Sequence, residues 1–164
     1  MKAKIIRGIT PWFHPDSIKF LFLIIKPDWI VFETGSGRST IWFARNAKKV
    51  ISYEHSELYY NKVRRLIDEK GIKNVDLQLR PNYPKEGIRG FGRNEFDLVS
   101  IDGPRDSRVK CVKAVIPCLK SGGYLLFDDS EYRCYKEAIN LLKDWEEHIF
   151  GGTRRHATTI WRKP

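Results

Sequence analysis

The segment Ile30-Val31-Phe32-Glu33-Thr34-Gly35-Ser36-Gly37-Arg38-Ser39-Thr40 joins an apolar run, an acid and a glycine-rich turn, and Ile41-Trp42-Phe43-Ala44 continues as a helix. Gly35 and Gly37 lack a Cβ, so the backbone can turn sharply and admit a ligand closely, while the start of the helix offers unpaired N–H groups to an anion. A dinucleotide fingerprint, G-x-G-x-x-G, needs a third glycine beneath a pyrophosphate. Thr40 stands at that position and weakens a pyrophosphate reading. Glu33 instead offers a carboxylate at the strand tip, where it suits an ammonium group. Glu54 closes the run Val50-Ile51-Ser52-Tyr53, roughly 20 residues past the glycines, the spacing at which an acid reaches a ribose diol. A ribose joined to an amino acid describes S-adenosylmethionine.

Three more acids end apolar runs: Asp102 after Phe96-Asp97-Leu98-Val99-Ser100-Ile101, and Asp128 and Asp129 after Tyr124-Leu125-Leu126-Phe127. An open α/β sheet binds ligands at the carboxyl ends of its strands, so these carboxylates are expected on one rim. They repel one another unless one is protonated, paired with a basic residue or bound to a hard cation such as Mg²⁺. The bland alternatives are a helix cap at Asp129 or Ser130 and a turn at Asp102 before Gly103-Pro104.

In this order the motifs resemble the class I S-adenosylmethionine-dependent methyltransferases. Their first motif, acid-x-G-x-G-x-G, is matched by Glu33 to Ser39 with Ser39 at the last glycine; the likeness continues through Tyr53-Glu54-His55, Phe96 to Gly103 and Ser121 to Asp129. The resemblance implies an α/β fold, a Rossmann-like, doubly wound, mainly parallel seven-stranded sheet with an antiparallel C-terminal strand. It also implies S-adenosylmethionine as cofactor, with contacts from Glu33, Thr34, Gly35, Ser36, Gly37, Ser39, Thr40, Glu54, His55 and Asp102. Asn82 can bond the adenine edge and Tyr83 cover its face.

The acid ending the fourth strand and the acid pair ending the fifth look like the metal-dependent O-methyltransferases related to catechol O-methyltransferase. That likeness implies Asp102, Asp128 and Asp129 as Mg²⁺ ligands, the ion lowering the pKa of the acceptor oxygen. The subfamily's general-base lysine is replaced by Arg105, which stays protonated. Either Arg105 serves only electrostatically or another base acts, Asp129 if the metal is absent or His156 by its loop position; Asp102, Arg105 and Asp129 are the candidate catalytic residues.

Strands are expected over 29–33, 49–54, 75–79, 96–102 and 123–128, alternating with helices over 39–46, 57–70 and 107–119. A helix over 18–25, capped by Asp16 or Ser17 and ended by Pro27, precedes them. A helix over 132–145 and strands over 147–150 and 158–162 complete an α/β pattern, the last strand antiparallel beside the fifth.

At 164 residues and 41% hydrophobic, the chain suits one core and a single domain over 1–164. Its longest apolar run, Phe20 to Ile25, is far short of the roughly 20 residues that cross a bilayer, and no signal-peptide pattern opens it; a cytoplasmic protein is expected. Cys111, Cys118 and Cys134 lack metal or disulfide spacing and read as free thiols. The net charge of +10 favours an anionic partner.

Arg105, Arg108, Arg133, Arg154 and Arg155 are candidates to hold its carboxylate or phosphate, and Trp12, Phe13 and His14 to line the acceptor pocket or staple the first helix. The preferred reading is O-methylation of a small anionic hydroxyl compound. Methylation of RNA or protein, and a non-catalytic cofactor-binding module acting with a partner, are the alternatives; a homo-oligomer is compatible with either.

Overall fold

The computed structural model describes residues 9–83, 88–152 and 155–164. Among these residues, four helices and five strands come first: α1 (Pro15–Ile24), β1 (Ile30–Thr34), α2 (Arg38–Asn46), β2 (Lys49–Glu54), α3 (Glu57–Glu69), β3 (Val75–Leu79), β4 (Phe96–Ile101), α4 (Arg108–Val115) and β5 (Leu119–Asp128). A short helix α5 (Lys136–Leu141) and two strands, β6 (Glu146–Gly152) and β7 (Arg155–Arg162), close the chain.

The strands form one seven-stranded sheet in the order β3-β2-β1-β4-β5-β7-β6. β1 to β5 pair in parallel, while β7 lies antiparallel between β5 and β6. This is the class I methyltransferase architecture that the motifs imply. The strand order reverses at β1, so a crevice opens where β1 and β4 end side by side. There Thr34 lies opposite Ile101, and Asp102 N–H donates to the Thr34 carbonyl at 3.0 Å.

The central strands are apolar on both faces because helices cover both. Val31, Leu98, Val50, Leu126 and Ile160 meet α1 and α2 through Leu21, Trp42 and Phe43. Phe32, Val99, Ile101, Phe127 and Trp161 meet the layer of α4 and α5 through Cys111, Val112, Val115 and Ala138. Among the described residues no helix is long and apolar enough to cross a membrane.

Several boundaries differ from those expected. α1 starts at Pro15 with His14 as its cap, not Asp16 or Ser17: His14 Nδ1 accepts from Asp16 N–H at 3.3 Å, and Asp16 itself pairs with Lys19 at 2.7 Å. Proline at the first helical position loses no bond, which is why the helix begins there. The helix expected to run to Leu119 stops at Val115 and tightens into a 3₁₀ turn over Ile116–Cys118 around Pro117; β5 then begins at Leu119. The helix expected over 132–145 shrinks to a 3₁₀ turn, Arg133–Tyr135, and α5, and both closing strands are longer than expected. Neither Asp129 nor Ser130 caps a helix, since Tyr132 precedes the 3₁₀ turn; Asp129 sits in a turn with φ of 52°.

Candidate functional site

β1 carries its chain to the switch point, and the glycine turn reverses it into α2. Gly35 has φ of 81°, and a Cβ there would lie 2.1 Å from the Asp102 carbonyl, so the close approach of the turn to the end of β4 requires glycine. Gly37 is different: its φ of −179° is extended backbone, and a Cβ there meets nothing within 4 Å. Its missing side chain keeps open space rather than relieving a clash. That space belongs to a cavity of about 640 Å³, within the range of small-molecule sites.

Gly35, Ser36, Gly37, Arg38 and Ser39 form one wall of the cavity; Glu54 and His55, at the end of β2, and Asp102, Gly103 and Pro104, after β4, form others. Of the cofactor residues expected from sequence, Gly35, Ser36, Gly37, Ser39, Glu54, His55 and Asp102 thus come together. Glu33, Thr34 and Thr40 lie beneath this floor, fully buried and off the cavity surface.

Glu33 is a correction to the ammonium-binding expectation. Its carboxyl accepts from the hydroxyls of Ser39, Thr40 and Ser52, the last two at 2.6 and 2.8 Å, and so ties α2 to β1 and β2 from below. Three neutral donors supply hydrogen bonds without cancelling charge, and burial pushes its pKa up to about 7 against their pull.

Glu54 faces the cavity with both oxygens engaged. One accepts from Ser36 N–H and Ser36 Oγ at 2.8 and 2.9 Å; the other accepts from Ser56 N–H at 2.8 Å and lies 3.0 Å from His55 Nδ1. The acid thereby fastens the glycine turn to the end of β2. Asn82 and Tyr83 do not join this cavity. With Arg80 and Arg89 they border a separate cleft of about 270 Å³ beside β3, and Tyr83 is buried against the ring of His55, 6.2 Å between centroids. The tight turn after Arg80, where Tyr83 N–H donates to the Arg80 carbonyl, leaves Asn82 exposed at this cleft and buries the Tyr83 hydroxyl against Gly103, behind the cavity wall rather than on its surface.

The aspartates at the ends of β4 and β5 surround a guanidinium. Arg108, buried at the start of α4, donates from Nε to the Gly103 carbonyl at 2.7 Å, from Nη1 to the Asp128 carbonyl at 2.7 Å and from Nη2 to Asp102 Oδ1 at 2.9 Å. Asp129 Oδ2 lies 3.8 Å from Nη1. Of the three ways to relieve the repulsion, pairing with a basic residue is the one built here. Burial, then the neighbouring Asp128, pushes the Asp102 carboxyl up, with Arg108 opposing. Asp128 is pushed up by burial too, while its hydrogen bond from Thr158 Oγ1, 2.6 Å from Oδ1, pulls the other way.

The Mg²⁺ set Asp102, Asp128 and Asp129 does not fit. The Arg108 cation occupies the place between Asp102 and the pair, and the acids that do cluster are Asp128 and Asp129 with His156, their ligand atoms within 4.8 Å. His156 Nδ1 is already 3.1 Å from Asp129 Oδ1, and its Nε2 meets the Trp12 carbonyl. Burial lowers the His156 pKa, but the Asp128 and Asp129 carboxylates outweigh it and raise it.

Arg105 is not at the cavity; its guanidinium stacks 4.0 Å from the Tyr132 ring centroid. Nor do the other arginines expected at an acceptor mouth gather there. Arg108 is buried, Arg133 is exposed on its 3₁₀ turn, and Arg154 and the Arg155 side chain lie outside the described residues. Trp12 and Phe13 do line the cavity, whereas His14 caps α1. Sequence reasoning missed one wall entirely: Tyr59, Lys62, Val63 and Leu66 of α3. Their i, i+3, i+4, i+7 spacing is one helix face and was the available signal.

The fold and this crevice define a methyltransferase domain. The profile of the family described as "Methyltransferase domain" matches residues 32–130, more than half of the chain, and the chain belongs to that family, a family of enzymes. Solved structures are similar across most of the chain at low identity.

A putative methyltransferase from Streptococcus mutans in complex with SAH is 17% identical, with 89% of this chain and 95% of that one covered and a TM-score of 0.69. An rRNA methylase from Streptococcus thermophilus is 17% identical, covering 99% and 100%, with a TM-score of 0.67. A SAM-dependent O-methyltransferase from Thermotoga maritima is 17% identical, covering 94% and 67%, with a TM-score of 0.68. No curated protein matches the chain at the sequence level. The shared architecture with such different acceptors leaves substrate choice to the walls of the cavity.

Proposed function

We propose that the chain is an S-adenosylmethionine-dependent O-methyltransferase acting on a small anionic hydroxyl compound. The observation that carries this reading is the convergence of the glycine turn, Glu54 and Asp102 on one cavity of about 640 Å³. The residues fit the cofactor: Gly37 leaves open space at the start of α2 for a carboxylate, and Glu54 is a buried acid at the distance along the chain that suits a ribose diol.

When bound, the cofactor supplies a sulfonium methyl; its C–S bond breaks, the electron pair stays on sulfur, and an O–CH₃ bond forms on the acceptor. Asp102 is the group of this chain that reaches the cavity to take the acceptor's hydroxyl proton. Arg108 holds its Oδ1, and among the described residues no donor reaches Oδ2. A carboxyl raised above its ordinary range is better matched to that task than a free aspartate. Orientation of acceptor and Asp102 supplies the remainder, and no step is routed through a metal.

Calorimetric titration with S-adenosylmethionine and S-adenosylhomocysteine, each with and without Mg²⁺, tests the reading. Micromolar binding independent of Mg²⁺ is the expected result; no binding of either refutes it. The charge of +10 supports RNA as a second acceptor class; a steep loss of oligoribonucleotide binding with salt would favour it.

A further inference from the structure

Trp12 is 74% exposed and Tyr59 50% exposed, yet both line the cavity that holds the glycine turn. The indole is not exposed because its backbone is loose. Its carbonyl meets His156 Nε2, the next residue Phe13 is buried against Phe43, and His14 N–H donates to Thr158 Oγ1 at 3.0 Å. Tyr59 is similarly fixed, on a helix whose first turn is capped by Ser56. Large aromatic faces held open to water on an anchored backbone are places where another flat surface packs.

The same wall carries cations. Lys62 Nζ stands 5.1 Å from the Tyr59 ring centroid, and Arg38 lies at the start of α2. Among the described residues neither has a carboxylate partner, whereas the carboxylates on this cavity, Glu54 and Asp102, are both engaged. Building on the methyltransferase reading above, we propose that Trp12, Tyr59 and Lys62 form the acceptor subsite, and that the acceptor is a planar aromatic ring bearing an anionic group beside its hydroxyl.

The rings stack on it and the ammonium pairs with its charge. A nucleic-acid strand fits less well, because it needs successive stacking faces. The remaining exposed aromatic of the described residues, Tyr132, is already covered by Arg105.

The test uses the full chain saturated with S-adenosylhomocysteine and three probes titrated by calorimetry: a hydroxybenzoate, a hydroxynaphthoate and a nucleoside monophosphate. Phenol and lactate serve as controls lacking the charge and the ring. At least one planar anion should bind, with both controls at least about tenfold weaker. Trp12→Ala should weaken that probe about tenfold or more while S-adenosylhomocysteine affinity changes less than about twofold; Lys62→Met should abolish the preference for hydroxybenzoate over phenol.

The proposal is overturned if none of the three planar anions binds, if Trp12→Ala leaves their affinity intact, or if an oligoribonucleotide binds more tightly than all of them with a steep salt dependence. Loss of S-adenosylhomocysteine binding in the unmodified chain would instead refute the reading beneath it.

Discussion

At the ends of β1 and β2 two glutamates are surrounded by neutral donors, hydroxyls and backbone N–H groups, with only His55 nearby; at the ends of β4 and β5 three aspartates gather round one guanidinium. Both groups are engaged in hydrogen bonds, but only the second has its charge answered by a permanent cation. Neutral donors stiffen a loop without cancelling the charge of the acid. A buried arginine fixes the acids and makes itself indispensable, since truncating one partner strands the others.

The sharpest way to break the second group is Arg108→Met, which leaves Asp102 and Asp129 without their cation and the Asp128 carbonyl without its donor. Denaturant unfolding at pH 7 should show a loss of about 3–5 kcal/mol. The loss should shrink on acidification, as Asp102 and Asp128, whose carboxyls burial already pushes up, take protons. Arg108→Lys should recover only part of it, because one ammonium cannot meet the Gly103 carbonyl, the Asp128 carbonyl and Asp102 with the fork that three separate bonds require.

In the first group the two glycines separate folding from binding. Gly37→Val points its side chain into open cavity; it should abolish S-adenosylhomocysteine binding and move the unfolding midpoint little. Gly35→Ala sets a Cβ against the Asp102 carbonyl at a left-handed φ, so stability should fall with binding. Equal midpoints for the two variants would show that the turn is not braced on β4.

Glu33 carries the pH dependence that burial gives an acid with no cation beside it. Its folded pKa, about 7, is above the ordinary value of 4.5, so between these values the folded state keeps a proton that the unfolded state has released. Its contribution to stability therefore falls as pH rises from about 4.5 to about 7 and is level beyond, a change of roughly 3 kcal/mol at most. Glu33→Gln should remove that slope and gain on the wild type most above pH 7. An unaltered pH profile in the variant would mean the three hydroxyls already hold the carboxylate ionised.

The strand-and-helix alternation and the glycine turn were legible because both rest on local rules: apolar runs buried on two faces, and residues without a Cβ where the chain turns. The reach of side chains was not. Asn82 and Tyr83 follow β3 at a plausible place in sequence, but a backbone turn leaves Asn82 on another cleft and buries the Tyr83 hydroxyl against Gly103, off the cavity surface. The Mg²⁺ expectation failed because it depended on which cation reaches the aspartates. Arg108 had been placed at the acceptor mouth with the other arginines, and only the packing of α4 against β4 and β5 brings it between them. Tyr59 and Lys62 lie in the helix expected over 57–70, but which of its stripes faces a cavity depends on the partner it meets.

The smallest effect concerns the joint between the glycine turn and Glu54. Ser36 Oγ and N–H both donate to the same Glu54 oxygen, and the other oxygen is met by Ser56 N–H and His55. A ribose diol that binds Glu54 must displace one of these donors, and the serine hydroxyl is the one that can rotate away without moving backbone. Ser36→Ala removes that competitor and retains the Ser36 N–H bond, so it should tighten S-adenosylhomocysteine by a few-fold, about the worth of one neutral hydrogen bond. Weaker binding by Ser36→Ala in calorimetry would reverse the argument: the hydroxyl would then serve the ligand, and Glu54 would be a brace for the turn in the way that Glu33 is for α2.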